Sequence, residues 1–394
     1  MHVLISGAGV AGQALAYWLN RGGAAVTVVE RAPALREGGH AVDFRGAAHL
    51  DVLRRMGALE EIERRRTGMG AMYYVNAAGR RVSRMPADLF AGDVEILRSD
   101  LAKVFYELTA PAGVEYRFGD SVRALREEPG GVAVAFEHAP QARYDLVIGA
   151  DGLHSAVRAL AFGPEEDYVH HLGLHCAIFP VENFLGLDHT AEAYRTTSRV
   201  VIVTSANHNA EARAQLFFPS PKVYDRRDLD AQRRAVAEAF AGVGWHTPRL
   251  LDALRATPEL YLDSVAQVRM PRWSAGRVAL LGDAAYSPCL LSGMGSGLAV
   301  VGAYVLAGEL LRAGADHAAG FSAYERIMRP YAEGAQRGAE GNAAMMVPQG
   351  RLLTAFLNQY IKLVPYLPGK QMIANAARRT AEAVELPAYA WAGS

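Results

Sequence analysis

Gly7, Gly9 and Gly12 follow the apolar run 2–6 in the spacing Gly-x-Gly-x-x-Gly and open a helical pattern at 13–21. Glu30 ends the next apolar run. In that context the first glycine permits a tight turn, the second lets backbone approach a pyrophosphate, and the third lets helix pack on strand. A helix start, here including Ala11, offers unpaired N–H groups and a positive dipole end to phosphate. A carboxylate at Glu30 can accept from a ribose diol and repels a 2′-phosphate. The pattern predicts a dinucleotide site, for FAD or for NAD.

Two further stretches pair glycine with aspartate. Gly149-Ala-Asp151-Gly152-Leu-His-Ser155-Ala-Val-Arg158 ends a buried run; it reads either as a ligand contact or as an Asp-Gly turn before a Ser-started helix. Gly282-Asp283 ends another such run and leads through Pro288 to Gly293-Met-Gly295-Ser296-Gly297-Leu298. Asp283 can bind polyol hydroxyls, and a glycine-rich helix start suits an electron-rich ring carbonyl. The plainer reading is a bare strand-to-helix turn.

These residues need a scaffold of buried parallel strands, and the runs 2–6, 25–29, 144–148 and 278–281 have that apolar pattern. Helices are expected at 13–21, 99–108 and, with a solvated arginine face, 52–66. A small hairpin is expected at 72–82 and a strand at 94–98. From 173 to 267 the chain turns β-rich, with one helix near 229–241, and long helices follow. The fold class is α/β: a Rossmann-like domain with an inserted β-sheet domain and C-terminal helices.

With 394 residues, 51% of them hydrophobic, the chain can bury a large core and is neither disordered nor a small stapled domain. Its 41 basic and 41 acidic residues balance, which argues against nucleic acid and anionic membranes, and against a substrate held mainly by charge. Cys176 and Cys289 have no metal-ligand spacing, so no metal is expected and reduced thiols in the cytoplasm are. Residues 2–19 lack a basic leader segment, so no signal peptide is expected. The uncharged run 284–308 could span a bilayer by length, but its Pro/Gly/Ser-rich first half predicts a buried loop and then a buried helix.

The ordered set of Gly7-x-Gly9-x-x-Gly12 with Glu30-Arg31, Asp151-Gly152 and Gly282-Asp283 resembles the FAD-dependent aromatic hydroxylases, the single-component class A flavoprotein monooxygenases. The resemblance spans essentially the whole chain. With no extra C-terminal domain, it is similar to the shorter members, such as the tetracycline-inactivating monooxygenase. It implies an FAD-binding domain at 1–172 and 268–345, a substrate-binding sheet at 173–267 joined by the hairpin 71–90, and a helical segment at 346–394.

The resemblance also implies roles. The turn at Gly7, Gly9, Ala11 and Gly12 would take the FAD pyrophosphate, Glu30 the ribose and Arg31 the adenine side. Arg98 would meet the phosphate–ribityl region, Arg45 would lie near the flavin, and Asp283 would bind the ribityl chain. Pro288 would sit beside the isoalloxazine, and Gly295, Ser296, Gly297 and Leu298 at its pyrimidine edge. Asp151 would bridge FAD and a transient NAD(P)H site. Relatives often have His, Gln and Asn at the positions of Tyr286, Met294 and Gly297, so flavin positioning is expected to differ in detail.

The implied activity is reduction of FAD by NADPH or NADH, formation of a flavin hydroperoxide with O2, and transfer of one oxygen to an aromatic or polyketide-type molecule. A flavin-dependent oxidase, cyclase or reductase is the alternative. That chemistry requires no common side-chain acid, base or nucleophile, so no catalytic residue is named. Substrate is expected between flavin and inserted sheet, where strand alternation puts Arg213, Gln215 and Phe217 on one face and Phe179 on the other. The protein is expected to act on a small molecule as a monomer or homodimer.

Overall fold

The computed structural model describes residues 1–35, 40–205, 211–221, 224–225, 228–364 and 378–391. The strand His2–Ser6 lies at the centre of a six-stranded sheet, with Val3, Leu4 and Ile5 wholly buried, as a parallel strand covered on both faces requires. It pairs in parallel with Ala25–Glu30 on one side and Leu146–Gly149 on the other. Glu115–Phe118 extends the sheet beyond the former, and Val278–Leu280 then Ser274–Ala275 beyond the latter. The three glycine-containing turns therefore leave adjacent strands at the same carboxyl edge, the side where open α/β sheets bind ligands.

The first helix, Val10–Arg21, starts three residues before the expected 13–21, because Gly9 already adopts the extended N-cap conformation. The single helix expected at 52–66 is two, Gly46–Arg55 and Leu59–Arg64; Gly57, at φ +73°, breaks the run. Gly295–Ala313 is apolar and long enough to cross a membrane, but it packs between Val10–Arg21 and the long helix His317–Met346, with 78% of its apolar window buried in the fold.

A seven-stranded sheet forms the second layer, in the order Tyr261–Val268, Val169–Glu182, Glu211–Pro219, Arg199–Ser205, Thr190–Thr196, Ala71–Val75 and Arg81–Pro86. The early hairpin joins it through a parallel pairing of Ala71–Val75 with Thr190–Thr196. The outer face packs under two helices, Leu229–Ala239 and Thr247–Ala256. Only one helix was expected in this stretch. The second carries Pro248 in its first turn, where the missing N–H costs nothing, and buries Leu250, Leu251 and Leu254. The inner face packs Cys176, Ile178, Ile202 and Phe217 in one apolar cluster with Cys289, Ala339, Ala343 and Val347.

The chain's last part is only partly helical. Arg351–Leu363 is a helix, 365–377 lies outside the described residues, and 383–391 runs without helix. There Trp391 lies 4.5 Å from Trp18. Tyr389 fills the space beside Gly308, 2.3 Å from where a Cβ would stand, and donates to Glu309 at 2.7 Å. Aromatic anchoring in a slot replaces helical periodicity.

Arg158, wholly buried, ties two of the turns together. Its Nη1 donates to the Ala284 carbonyl at 3.1 Å and its Nη2 to the Leu153 carbonyl at 2.7 Å. Arg158→Ala removes both bonds and leaves a void, and we expect a loss of about 2–4 kcal/mol in urea denaturation. An unchanged midpoint would contradict this bracing role.

Candidate functional site

The glycine turn is as tight as side-chain-free backbone allows. Gly7 has φ +106°, and a Cβ on it would stand 2.6 Å from the Ala150 carbonyl oxygen; one on Gly12 would stand 1.9 Å from the Gly7 carbonyl oxygen. Gly9 differs, because the nearest atom to its missing side chain is Arg98 Nη2, at 3.9 Å. No side chain caps the helix there, and the Arg98 guanidinium stands beside its start. Glu30 is held under the turn: Ala8 N–H and Ala32 N–H each donate to its carboxylate at 2.9 Å. Arg31 is exposed just beyond.

The Gly-Asp turn meets this one side by side. Gly282, at φ +65°, leaves only 2.9 Å between a would-be Cβ and the Cβ of Ala11. Asp283 is open to the cleft but otherwise ringed by protein. That enclosure pushes its carboxyl up, while the Arg98 charge and the Ser287 hydroxyl pull it down. A Cβ on Gly295 would lie 3.7 Å from Asp283 Oδ1, so the uncapped start of Gly295–Ala313 points into the same space. Gly9, Arg98, Asp283 and Gly295 thus converge, with phosphate-type donors at one end and a hydroxyl acceptor beside a helix start at the other. Pro288 is buried next to them, its carbonyl accepting from Gln267 at 3.3 Å. This donor set fits a flavin dinucleotide.

Arg45 lies over the Gly293 turn, its Nη2 3.3 Å from a would-be Cβ there. It donates to Asp43 at 3.3 Å and to the Phe90 carbonyl at 2.5 Å, while its Nε is enclosed without an acceptor. Glu95 faces Asp43 across the strand pair and accepts from Thr67. Burial and the neighbouring Asp43 push Glu95 up to about 7, and burial also raises Asp43. This carboxyl pair was not singled out from sequence, because only the pairing of Ala41–Phe44 with Val94–Leu97 makes it a pair.

The departures from the family pattern have partners. A Cβ on Gly297 would stand 1.9 Å from the ring of His49, which is wholly buried. His49 Nδ1 accepts from Arg45 N–H at 3.0 Å, so Nε2 carries the proton and donates to Tyr331 at 2.5 Å. Burial and the Arg45 charge hold this imidazole neutral, down at about 4. Likewise the Tyr286 hydroxyl fills the space a Cβ on Gly302 would need, at 2.2 Å, and accepts from Tyr324 at 3.1 Å.

Asp151 is engaged within its own turn. Its carboxylate accepts from the Ser155 hydroxyl at 2.5 Å and from Val157 N–H at 3.1 Å, while Ser155 caps the helix Ala156–Ala161. These are the contacts of the turn-and-cap reading, with the carboxylate held at a helix start. Phe179 is corrected by its place in the sheet. It is wholly buried on the outer face, under the helices, and cannot line the cleft. Phe217 lies on the inner face, and the alternation of Glu211–Pro219 puts Gln215 and Arg213 there with it. Arg213 is neutralised by Glu211 at 2.9 Å and Glu259 at 3.3 Å. Cys176 and Cys289 are free thiols, both raised by burial.

Two predictions follow from these contacts. Gly297→Asn alone should destabilise the fold by about 1–3 kcal/mol through overpacking, and His49→Ala should recover part of that loss in the double variant. Strict additivity in the cycle would contradict a shared volume. His154 sits between Glu165 at 2.8 Å and Asp263 at 3.0 Å. Burial opposes its charge, but hydrogen bonds to Asp263 and Glu165 outweigh that and raise its pKa above the ordinary 6.5. Its contribution is therefore fully present below about pH 6.5 and is lost as pH rises through the raised folded value. His154→Gln should flatten that decline in denaturation midpoints; the same slope in wild type and variant would rule it out.

A family described as "FAD binding domain" matches residues 1–339. An uncharacterised protein of Mycobacterium tuberculosis (strain ATCC 25618 / H37Rv) is 46% identical over 338 residues, covering 84% of this chain and 90% of that one. A flavin-dependent monooxygenase of Legionella longbeachae serogroup 1 (strain NSW150) is 35% identical, covering 85% and 87%. Among solved structures, tetracycline destructase Tet(51) superposes with a TM-score of 0.84 at 33% identity, covering 98% of this chain and 99% of that one. Klebsiella pneumoniae HpxO complexed with FAD and uric acid shares the fold, with a TM-score of 0.77 at 22% identity. With the family match running through both the glycine turn and the Gly-Asp turn, this chain belongs to the FAD-binding flavin-dependent monooxygenases.

Proposed function

We propose that the chain consumes NADPH or NADH and O2 to insert one oxygen atom into an aromatic or polyketide-type molecule held against the inner face of the seven-stranded sheet. The observation that carries this reading is the convergence of Gly9, Arg98, Asp283 and Gly295 beside an apolar sheet face. When bound, FAD supplies two-electron chemistry and dioxygen activation. In this reading Gly7, Gly9, Ala11 and Gly12 take the pyrophosphate together with Arg98, and Glu30 and Arg31 take the adenosine end. Asp283 accepts from the ribityl hydroxyls. Pro288 and residues Gly295 to Leu298 would border the ring, where the uncapped helix N-terminus and Arg45 would favour negative charge.

Ile178, Ile202, Phe217 and Cys289 keep the adjoining space apolar, which limits water at the reacting centre. No side-chain acid, base or nucleophile is assigned. Enclosed thiols at Cys176 and Cys289 are compatible with a reducing, cytoplasmic setting. The name of the Tet(51) neighbour points to a tetracycline, a fused-ring polyketide, as one candidate for the screen.

The test is NAD(P)H oxidation by FAD-loaded protein across phenolic and polyketide candidates, with product masses. A gain of one oxygen atom is expected. Loss of hydrogen alone would mark an oxidase, and no nicotinamide oxidation with any candidate would contradict the proposal. Separately, Asp283→Ala should weaken FAD retention by about ten-fold or more through loss of charge-assisted hydrogen bonds. Full flavin occupancy in that variant would remove Asp283 from the site.

A further inference from the structure

Arg195 stands on the inner face of the seven-stranded sheet. Strand register places it directly opposite Val200, which pairs with Phe217, then Cys176, then Asp263, all in one row across five strands. Val200, Phe217 and Cys176 belong to the inner-face cluster with Cys289. Arg195 is only 9% exposed. Its Nε and Nη1 are enclosed with no hydrogen-bond acceptor, and no carboxylate pairs with it among the described residues. Its one charge-stabilising contact there is the face of Tyr74, 5.3 Å from the guanidinium carbon. Burial accordingly lowers its pKa against a small opposing effect of Tyr74.

A buried guanidinium without an anion is costly, and proteins normally pair such a group, as this one does with Arg213 on the same face. Arg158, wholly buried, has two carbonyls and Glu165. Arg158 also keeps an enclosed Nε without a partner, but of the three only Arg195 has neither a carboxylate nor a hydrogen-bond acceptor among the described residues. We infer that Arg195, backed by Tyr74, is the anchor for an anionic oxygen of the substrate, a carboxylate or an enolate. This rests on the proposed reading of the inner face as the substrate wall.

The position also constrains shape. The turn that borders the proposed ring site, Leu290–Ser292, packs on the strand Tyr261–Val268, at the other end of the row. Four strand spacings of about 4.8 Å separate the two ends, roughly 19 Å before the arginine's own reach is subtracted. A substrate that touches both ends is extended, with several fused or linked rings, and carries its acidic group away from the oxidised position.

The test uses FAD-loaded full-length protein and three fused-ring aromatic probes of one skeleton, bearing a carboxylate, an enolisable 1,3-diketone or a neutral carboxamide. Affinity is read by calorimetry, and flavin content by absorbance of the same samples. Wild type should bind at least one of the two acidic probes about ten-fold tighter than the carboxamide, and which one identifies the source of the anion. Arg195→Met should erase that preference and leave carboxamide affinity within about two-fold, while Arg195→Lys keeps part of it and Arg213→Met keeps all of it. Without ligand, Arg195→Met should melt no lower than wild type, since it removes an unpaired buried charge. Equal affinities in wild type, a preference that survives Arg195→Met, or a large fall in that variant's melting temperature would overturn the inference. A sample without flavin would instead count against the cofactor reading, because calorimetry reads the anion preference either way.

Discussion

Where a Cβ on Gly12 would stand, the carbonyl oxygen of Gly7 is 1.9 Å away, and where one on Gly7 would stand, the carbonyl oxygen of Ala150 is 2.6 Å away. Three backbone segments are thus packed with no room for a single added carbon. The packing brings the end of His2–Ser6, the start of Val10–Arg21 and the turn after Leu146–Gly149 into direct backbone contact. The Gly-Asp turn then docks on Ala11 through Gly282. Backbone has no rotamers to yield, so a side chain introduced here must move whole strands. The proposed cofactor groove inherits its shape from that constraint.

Around this rigid edge the molecule exchanges volume in pairs. Gly297 concedes space to His49, Gly302 to Tyr286, and Gly308 to Tyr389. Each exchange keeps packing dense while moving a polar group: His49 bridges Arg45 and Tyr331, and Tyr286 meets Tyr324. The electrostatics follow one rule. Carboxyls near the groove are raised by the protein packed around them, at Asp283, Asp43 and Glu95, and each lies close to an arginine that offsets this, Arg98 for the first and Arg45 for the other two.

How far the sequence could be read depended on whether a feature is local. The glycine turn, Glu30 and the Gly-Asp turn are each spelled within a few residues, and so are the buried strands, because each needs only its own neighbours to be recognised. Asp151 was ambiguous because an Asp-Gly turn and a ligand contact share one spelling; the bonds to Ser155 and Val157 show the turn and cap, which no spacing could display. Alternation divided Phe179 from Phe217 but carried no sign of which face turns inward; that is set by helices far along the chain. Glu95 opposite Asp43, and Arg195 over Tyr74, become neighbours only through strand pairings of high sequence separation. Net charge is silent in a similar way, since balanced totals describe a whole surface and say nothing of one buried guanidinium.

The central functional claim is that an oxygen atom from O2 reaches a molecule held beside the inner sheet face. The most direct measurement is turnover under heavy-isotope dioxygen in ordinary water, with the product analysed by mass. A product carrying one heavy oxygen atom for each NAD(P)H consumed in coupled turnover is expected. A product that gains no label, or takes its new oxygen from water, would contradict that claim.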